Sequence, residues 1–72
     1  MDDRIKFEDE RGIIMSIPVE IISEVRLISD DHSQLRVVVR LTSSGRQYVP
    51  KVKDSLDALG MAKVFWTAIG VL

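Results

Sequence analysis

Residues able to do acid–base, nucleophilic or metal chemistry gather in two short polar stretches. One is Asp30-Asp31-His32-Ser33, which holds the single histidine of the chain. Histidine beside carboxylates and a hydroxyl is the inventory of a hydrolytic triad or a metal site. The spacing suits neither, because triad members converge from separate elements, whereas consecutive residues of an exposed turn diverge. Asp and Ser in a row are what a turn uses to bond its own backbone.

The other stretch is Glu8-Asp9-Glu10, with Asp2 and Asp3 near the N-terminus. These carboxylates read as solvated charges of a terminus and a turn. The cysteine count of 0 excludes disulfides and thiolate metal sites. A phosphate cradle needs glycines at defined spacing, but Gly12, Gly45, Gly60 and Gly70 are scattered singly. The expectation is therefore a non-enzymatic protein with no catalytic residues, no cofactor and no metal.

The elements that would position any site begin with an alternating segment, Arg4 to Glu8, with Ile5 and Phe7 on one face. Asp9 to Gly12 reads as a turn and Gly12 to Ile17 as a second strand, with Phe7 facing Ile13 and Ile5 facing Met15. Ile14 is left on the opposite face. Pro18 bends the chain. Val19 to Ile22 reads as a continuing strand or as a short helical turn. The turn is preferred, leading into a strand from about Ser23, because Val25 to Ile28 is strongly β-prone.

After the Asp30–Ser33 turn, Gln34 to Thr42 is the clearest strand, with Leu35, Val37, Val39 and Leu41 in one apolar row. Pairing Val25 with Val37 and Leu27 with Leu35 puts all four in the core and brings Glu24 diagonally near Arg36 and Arg40. Ser43-Ser44-Gly45 is the next tight turn. Arg46 to Val49 is the last strand, Tyr48 facing Leu41 across a two-residue loop. The 72 residues thus form one small α+β domain, an antiparallel meander of four to five strands with one C-terminal helix across a face.

That helix is read over Lys53 to Leu72, capped by Asp54 or Ser55. At 100° per residue, Gly60, Lys63, Thr67 and Gly70 form one narrow strip in which Leu56 is the only apolar residue. Leu59, Ala62 and Trp66 form one flank, Ala58, Phe65 and Ile69 lie opposite the strip, and Met61, Val64, Ala68 and Val71 form the other flank. An ordinary surface helix carries an apolar stripe of roughly 100° or somewhat more, and this one carries more than its own sheet can cover. The surplus suggests a homo-oligomer or another protein held through Val64, Ala68 and Val71, with Trp66 a further candidate. Gly60 costs roughly 1 kcal/mol against alanine within a helix, and close approach of another backbone is one compensation.

The apolar run is too short to cross a membrane, which takes about 20 residues, and it lacks the basic face of a surface-lying helix. A formal net charge of −1 argues against a generic polyanion binder. A local face of Arg36, Arg40 and Arg46, with Lys51 and Lys53 nearby, is the alternative reading: a single-stranded nucleic-acid module. With 46% hydrophobic and 29% charged residues the chain is expected to fold. With Asp2, Asp3 and Arg4 after Met1 and no apolar run following, it is expected to stay in the cytoplasm.

The order of bent IPVEII segment, hairpin, GRQYV strand and terminal helix resembles, in layout, the last part of small bacterial pleckstrin-homology-like domains. The resemblance covers about two thirds of the chain, rests on no motif and implies fold alone; a complete domain of that kind has more strands.

Overall fold

The computed structural model describes residues 3–42 and 44–72; Asp2, and Ser43 of the third predicted turn, lie outside the described residues. Five strands and one helix follow in chain order: β1 (Arg4–Glu8), β2 (Ile14–Pro18), a 3-10 turn (Val19–Ile21), β3 (Ile22–Ser29), β4 (Leu35–Leu41), β5 (Gln47–Tyr48) and α1 (Ser55–Ala68). The fold is α+β and antiparallel throughout. The meander divides into two sheets, β1-β2 and β3-β4-β5. Pro18 and the 3-10 turn separate β2 from β3. The sheets are stitched together where Asp9 bridges Pro50 and the Lys51 N–H donates to the Glu8 carbonyl at 2.8 Å.

One device closes the first two hairpins. In each, an aspartate immediately precedes a three-residue loop whose last member has positive φ: Gly12 at 84° and Ser33 at 63°. Asp9 Oδ1 accepts from the backbone N–H of Arg11 at 3.0 Å and of Ile13 at 2.9 Å. Asp30 Oδ1 accepts from His32 at 2.8 Å and Gln34 at 3.0 Å. Three-residue hairpins of this kind combine a type I turn with a left-handed residue that starts a bulge, and aspartate favours the first turn position. Ser33 supplies the left-handed residue although its side chain makes that conformation costly.

These loops correct the expected registers by two residues. Phe7 faces Met15 and Ile5 faces Ile17, so Ile13 closes the loop opposite Asp9 and stays exposed. Val25 faces Val39 and Leu27 faces Val37; Glu24 lies directly across from Arg40, and Arg36 across from Ile28. Tyr48 faces Val39 rather than Leu41, because Leu41 instead pairs with Arg46 through its N–H at 2.9 Å. A two-residue slip preserves which face each side chain takes, so the core rows survive. One exception is informative: the ladder slips between Ile22 and Glu24, a bulge that turns Ile22 inward beside Val25 although they lie three residues apart.

The core is Phe7, Ile17, Ile22, Val25, Val37, Val39 and Leu41 from the strands with Ala58, Ala62 and Phe65 from the helix. The Phe7 and Phe65 rings meet edge-to-face, centroids 5.5 Å apart, which joins the two-stranded sheet to α1. Alanines at 58 and 62 let the helix lie close on β3 and β4. Burial of a side chain the size of Phe65 contributes about 1.5–3 kcal/mol.

Asp54 caps α1, its Oδ1 accepting the Asp57 N–H at 2.8 Å. The helix ends earlier than Leu72. Gly70, at φ 83°, donates to the Thr67 carbonyl at 3.2 Å and Val71 donates to that of Trp66 at 2.9 Å. This paired closure satisfies the last carbonyls and needs a left-handed residue, which glycine adopts without strain.

Candidate functional site

Around α1, burial follows from which residues the cap and the two alanines press onto the sheet. Ala58, Ala62 and Phe65 face inward, Ile69 and Leu59 lie half-buried, and the expected strip of Gly60, Lys63 and Thr67 faces solvent. Large apolar side chains share that solvent side. Leu56 is 81% exposed and Val64 62%, and Val71, just past the helix, is 66% exposed beside Leu72. Ala68 is exposed as well.

Trp66 is placed differently from the other three predicted interface residues. Its indole N–H donates to the Val25 carbonyl at 2.9 Å and its ring packs on the core from the opposite flank. Val64, Ala68 and Val71 therefore remain on the outer surface, while Trp66 holds the helix to β3. A buried indole N–H ordinarily finds such a partner.

Beside Val64 lies a cleft of about 440 Å³ between α1 and β1, floored by Phe7 and Phe65 and walled by Ile5, Met61 and Val64, with Lys6 and Asp57 at its rim. The β1 strand pairs with β2 on one side only; its other side meets the chain again near Glu8 and Asp9. Sequence periodicity placed Leu56 within the polar strip as its one apolar member, and that misfit was the available signal for this surface. The contribution of Ile5 and Lys6 needed the helix to be docked first.

The arginines of the alternative reading do not form one face. Arg40 and Gln47 pair across β4 and β5, so Arg46, one residue earlier, shares the side of Tyr48. There it lines a polar cleft of about 470 Å³ with Asp9, Arg11 and Tyr48. Arg36 donates from Nε to Asp30 Oδ2 at 3.1 Å and from Nη1 to Glu10 Oε1 at 3.0 Å. These partners, the Asp30 hydrogen bond foremost, push the guanidinium pKa further up. The nearest acid to Arg26 is Glu24, at 3.5 Å.

The acidic residues behave unequally. Asp9 is not the solvated charge expected: it is 2% exposed and held by Arg11 Nη2 at 2.8 Å besides its two backbone donors. Burial pushes its carboxyl up, and the hydrogen bonds from Arg11 and Ile13 outweigh this and hold it below the ordinary aspartate value. Asp30 is also held low, chiefly by the His32 N–H, then by Gln34 and Arg36 against a desolvation penalty. His32 sits exposed in that turn. No group of three histidine or carboxylate side chains converges as a metal site among the described residues, and no helix in them is long and apolar enough to cross a membrane. Compared with family models, with curated proteins and with solved structures, the chain matches none.

Proposed function

We propose that this protein is a non-enzymatic association domain that pairs with a second copy through the outer flank of α1, Val64, Ala68 and Val71 together with Leu56. The observation that carries the reading is one helix buried on its inner face while Leu56 and Val64 stand 81% and 62% exposed on the other. Apolar side chains grouped on one face of a small domain mark an interaction surface. A cytoplasmic setting is part of the proposal and rests on the cysteine count of 0, which suits a reducing compartment. The nucleic-acid reading has less support, since Arg36 is engaged by two carboxylates and Arg46 lies on another face.

Sedimentation equilibrium tests the proposal. The protein is expected to be dimeric at about 100 μM, and Val64→Lys is expected to weaken association about tenfold or more while leaving the fold intact. A protein that remains monomeric at that concentration overturns the proposal.

A further inference from the structure

We infer that the cleft between the first hairpin loop and β5 is a site for the phosphate group of a small phosphate monoester, held by Arg46 and Arg11 with Tyr48 and the Gln47 N–H. The cleft holds about 470 Å³ and is lined by both guanidiniums, by Asp9 and Glu10, and by the half-buried Tyr48. Its two acids are already engaged. Asp9 is 2% exposed, with Oδ1 on two backbone N–H groups and Oδ2 on Nε and Nη2 of Arg11. Glu10 accepts from Arg36 Nη1 through Oε1 at 3.0 Å. Arg46 is exposed and in no ion pair among the described residues.

The groups left with hydrogen bonds to give are chiefly donors. Asp9 holds the Nε and Nη2 edge of the Arg11 guanidinium, which fixes its plane and leaves Nη1 outside the pair. The ladder adds a backbone donor. The Leu41 N–H donates to the Arg46 carbonyl, and bonded and unbonded pairs alternate along antiparallel strands, so Gln47, opposite Arg40, turns its N–H and carbonyl away from β4. Val49, turned the same way, accepts the Glu10 N–H at 3.0 Å. The first hairpin then leaves β5 at the Gly12 turn, and Gln47 makes no backbone hydrogen bond on that side among the described residues. Arg46 therefore supplies the uncompensated charge, while Arg11, Tyr48 and Gln47 supply donors from other directions. A tetrahedral oxyanion uses such a set more fully than a flat carboxylate does. The cleft is wider than a phosphate group, which leaves room for the organic part of an ester. It shares no residue with the outer flank of α1, so the site does not depend on self-association.

Titration with phenyl phosphate at fixed ionic strength, followed through amide and arginine Nε–H resonances, tests the site. A dissociation constant of about 1 mM or tighter is expected, with the resonances of Gln47, Arg11 and Arg46 shifting together. Binding should strengthen as pH rises through about 6, where the ester takes its second charge. Arg46→Gln should weaken binding about tenfold, whereas Arg40→Gln, on the opposite side of the sheet, should leave it unchanged. Both positions are exposed, and the amide spectrum reports whether each variant keeps the fold. Shifts that survive Arg46→Gln, or that chloride reproduces, overturn the site. Benzoate binding as tightly as phenyl phosphate overturns the choice of phosphate, and dimethyl phosphate binding as tightly overturns the choice of a monoester.

Discussion

Arg36 reaches Glu10 across 26 residues of chain, Nη1 to Oε1 at 3.0 Å, while its Nε holds Asp30 at 3.1 Å. One guanidinium thereby ties the loop of the first hairpin to the loop of the second, and the two sheets to each other. Arg36→Met should lower the unfolding midpoint, with the loss shrinking in 1 M salt because the side chain is partly exposed and its pairs are screened there. Denaturation at low and high salt checks this. A double-mutant cycle with Glu10→Gln separates the inter-loop pair from the Asp30 contact.

Stability should fall on the acid side. The carboxyls of Asp9 and Asp30 are held below their unfolded-state value, so their contribution is present above the ordinary aspartate range and is lost as pH falls through the depressed values. The decline should begin below about pH 4. Asp9→Asn with Asp30→Asn should flatten that limb of the curve at the expense of stability near neutral pH, as followed by urea denaturation across the range. An acid limb unchanged in the double variant would contradict the assignment.

Trp66→Phe keeps an aromatic ring on the core and removes the indole donor from the Val25 carbonyl. The expected loss is about 1 kcal/mol, with the freed carbonyl left on the outer edge of β3. In the parent, the indole proton should exchange slowly with solvent. Rapid exchange would show that the bond is not kept in solution.

Phe65→Ala should be the most damaging core substitution, since it removes a 1%-exposed ring that meets Phe7 and both neighbouring alanine turns. A loss of about 3–5 kcal/mol is expected, comparable with the whole stability of a domain this size. Circular dichroism should show a chain largely unfolded at 37 °C. Asp54→Ala, which removes the helix cap, should cost about 1 kcal/mol by the same measurement.

Local chemistry in the sequence was enough to establish the α+β class, the order of strands and helix, the side of each strand that faces inward and a helix start at Asp54 or Ser55, whereas the helix end, read at Leu72, comes earlier, at Ala68. Each of the former depends on periodicity or on a residue's own backbone preference, and these act over a few neighbours. The registers needed more. Alternation has a period of two, so a slip of two residues leaves every apolar row intact, and only the loop chemistry of Asp9 with Gly12 and Asp30 with Ser33 selects the pairing. The inward turn of Ile22 likewise waits on a bulge that periodicity does not announce.

Tertiary structure alone decided the standing of the chemically active side chains. Asp9 looked like a solvated turn charge and became the buried hub of a hairpin, because Pro50 and Val49 close over it. Of the three arginines that composition allows on one face, Arg36 and Arg40 share a side of β4, where Arg36 is held by two carboxylates, and Arg46 goes to the other side with Tyr48. Trp66 and Val64 are both apolar and two residues apart, yet docking on β3 and β4 gave one an internal hydrogen-bond partner and left the other in solvent. Which part of an apolar circumference stays uncovered is set by where the helix lands, and that depends on the shape of the whole sheet rather than on the helix itself.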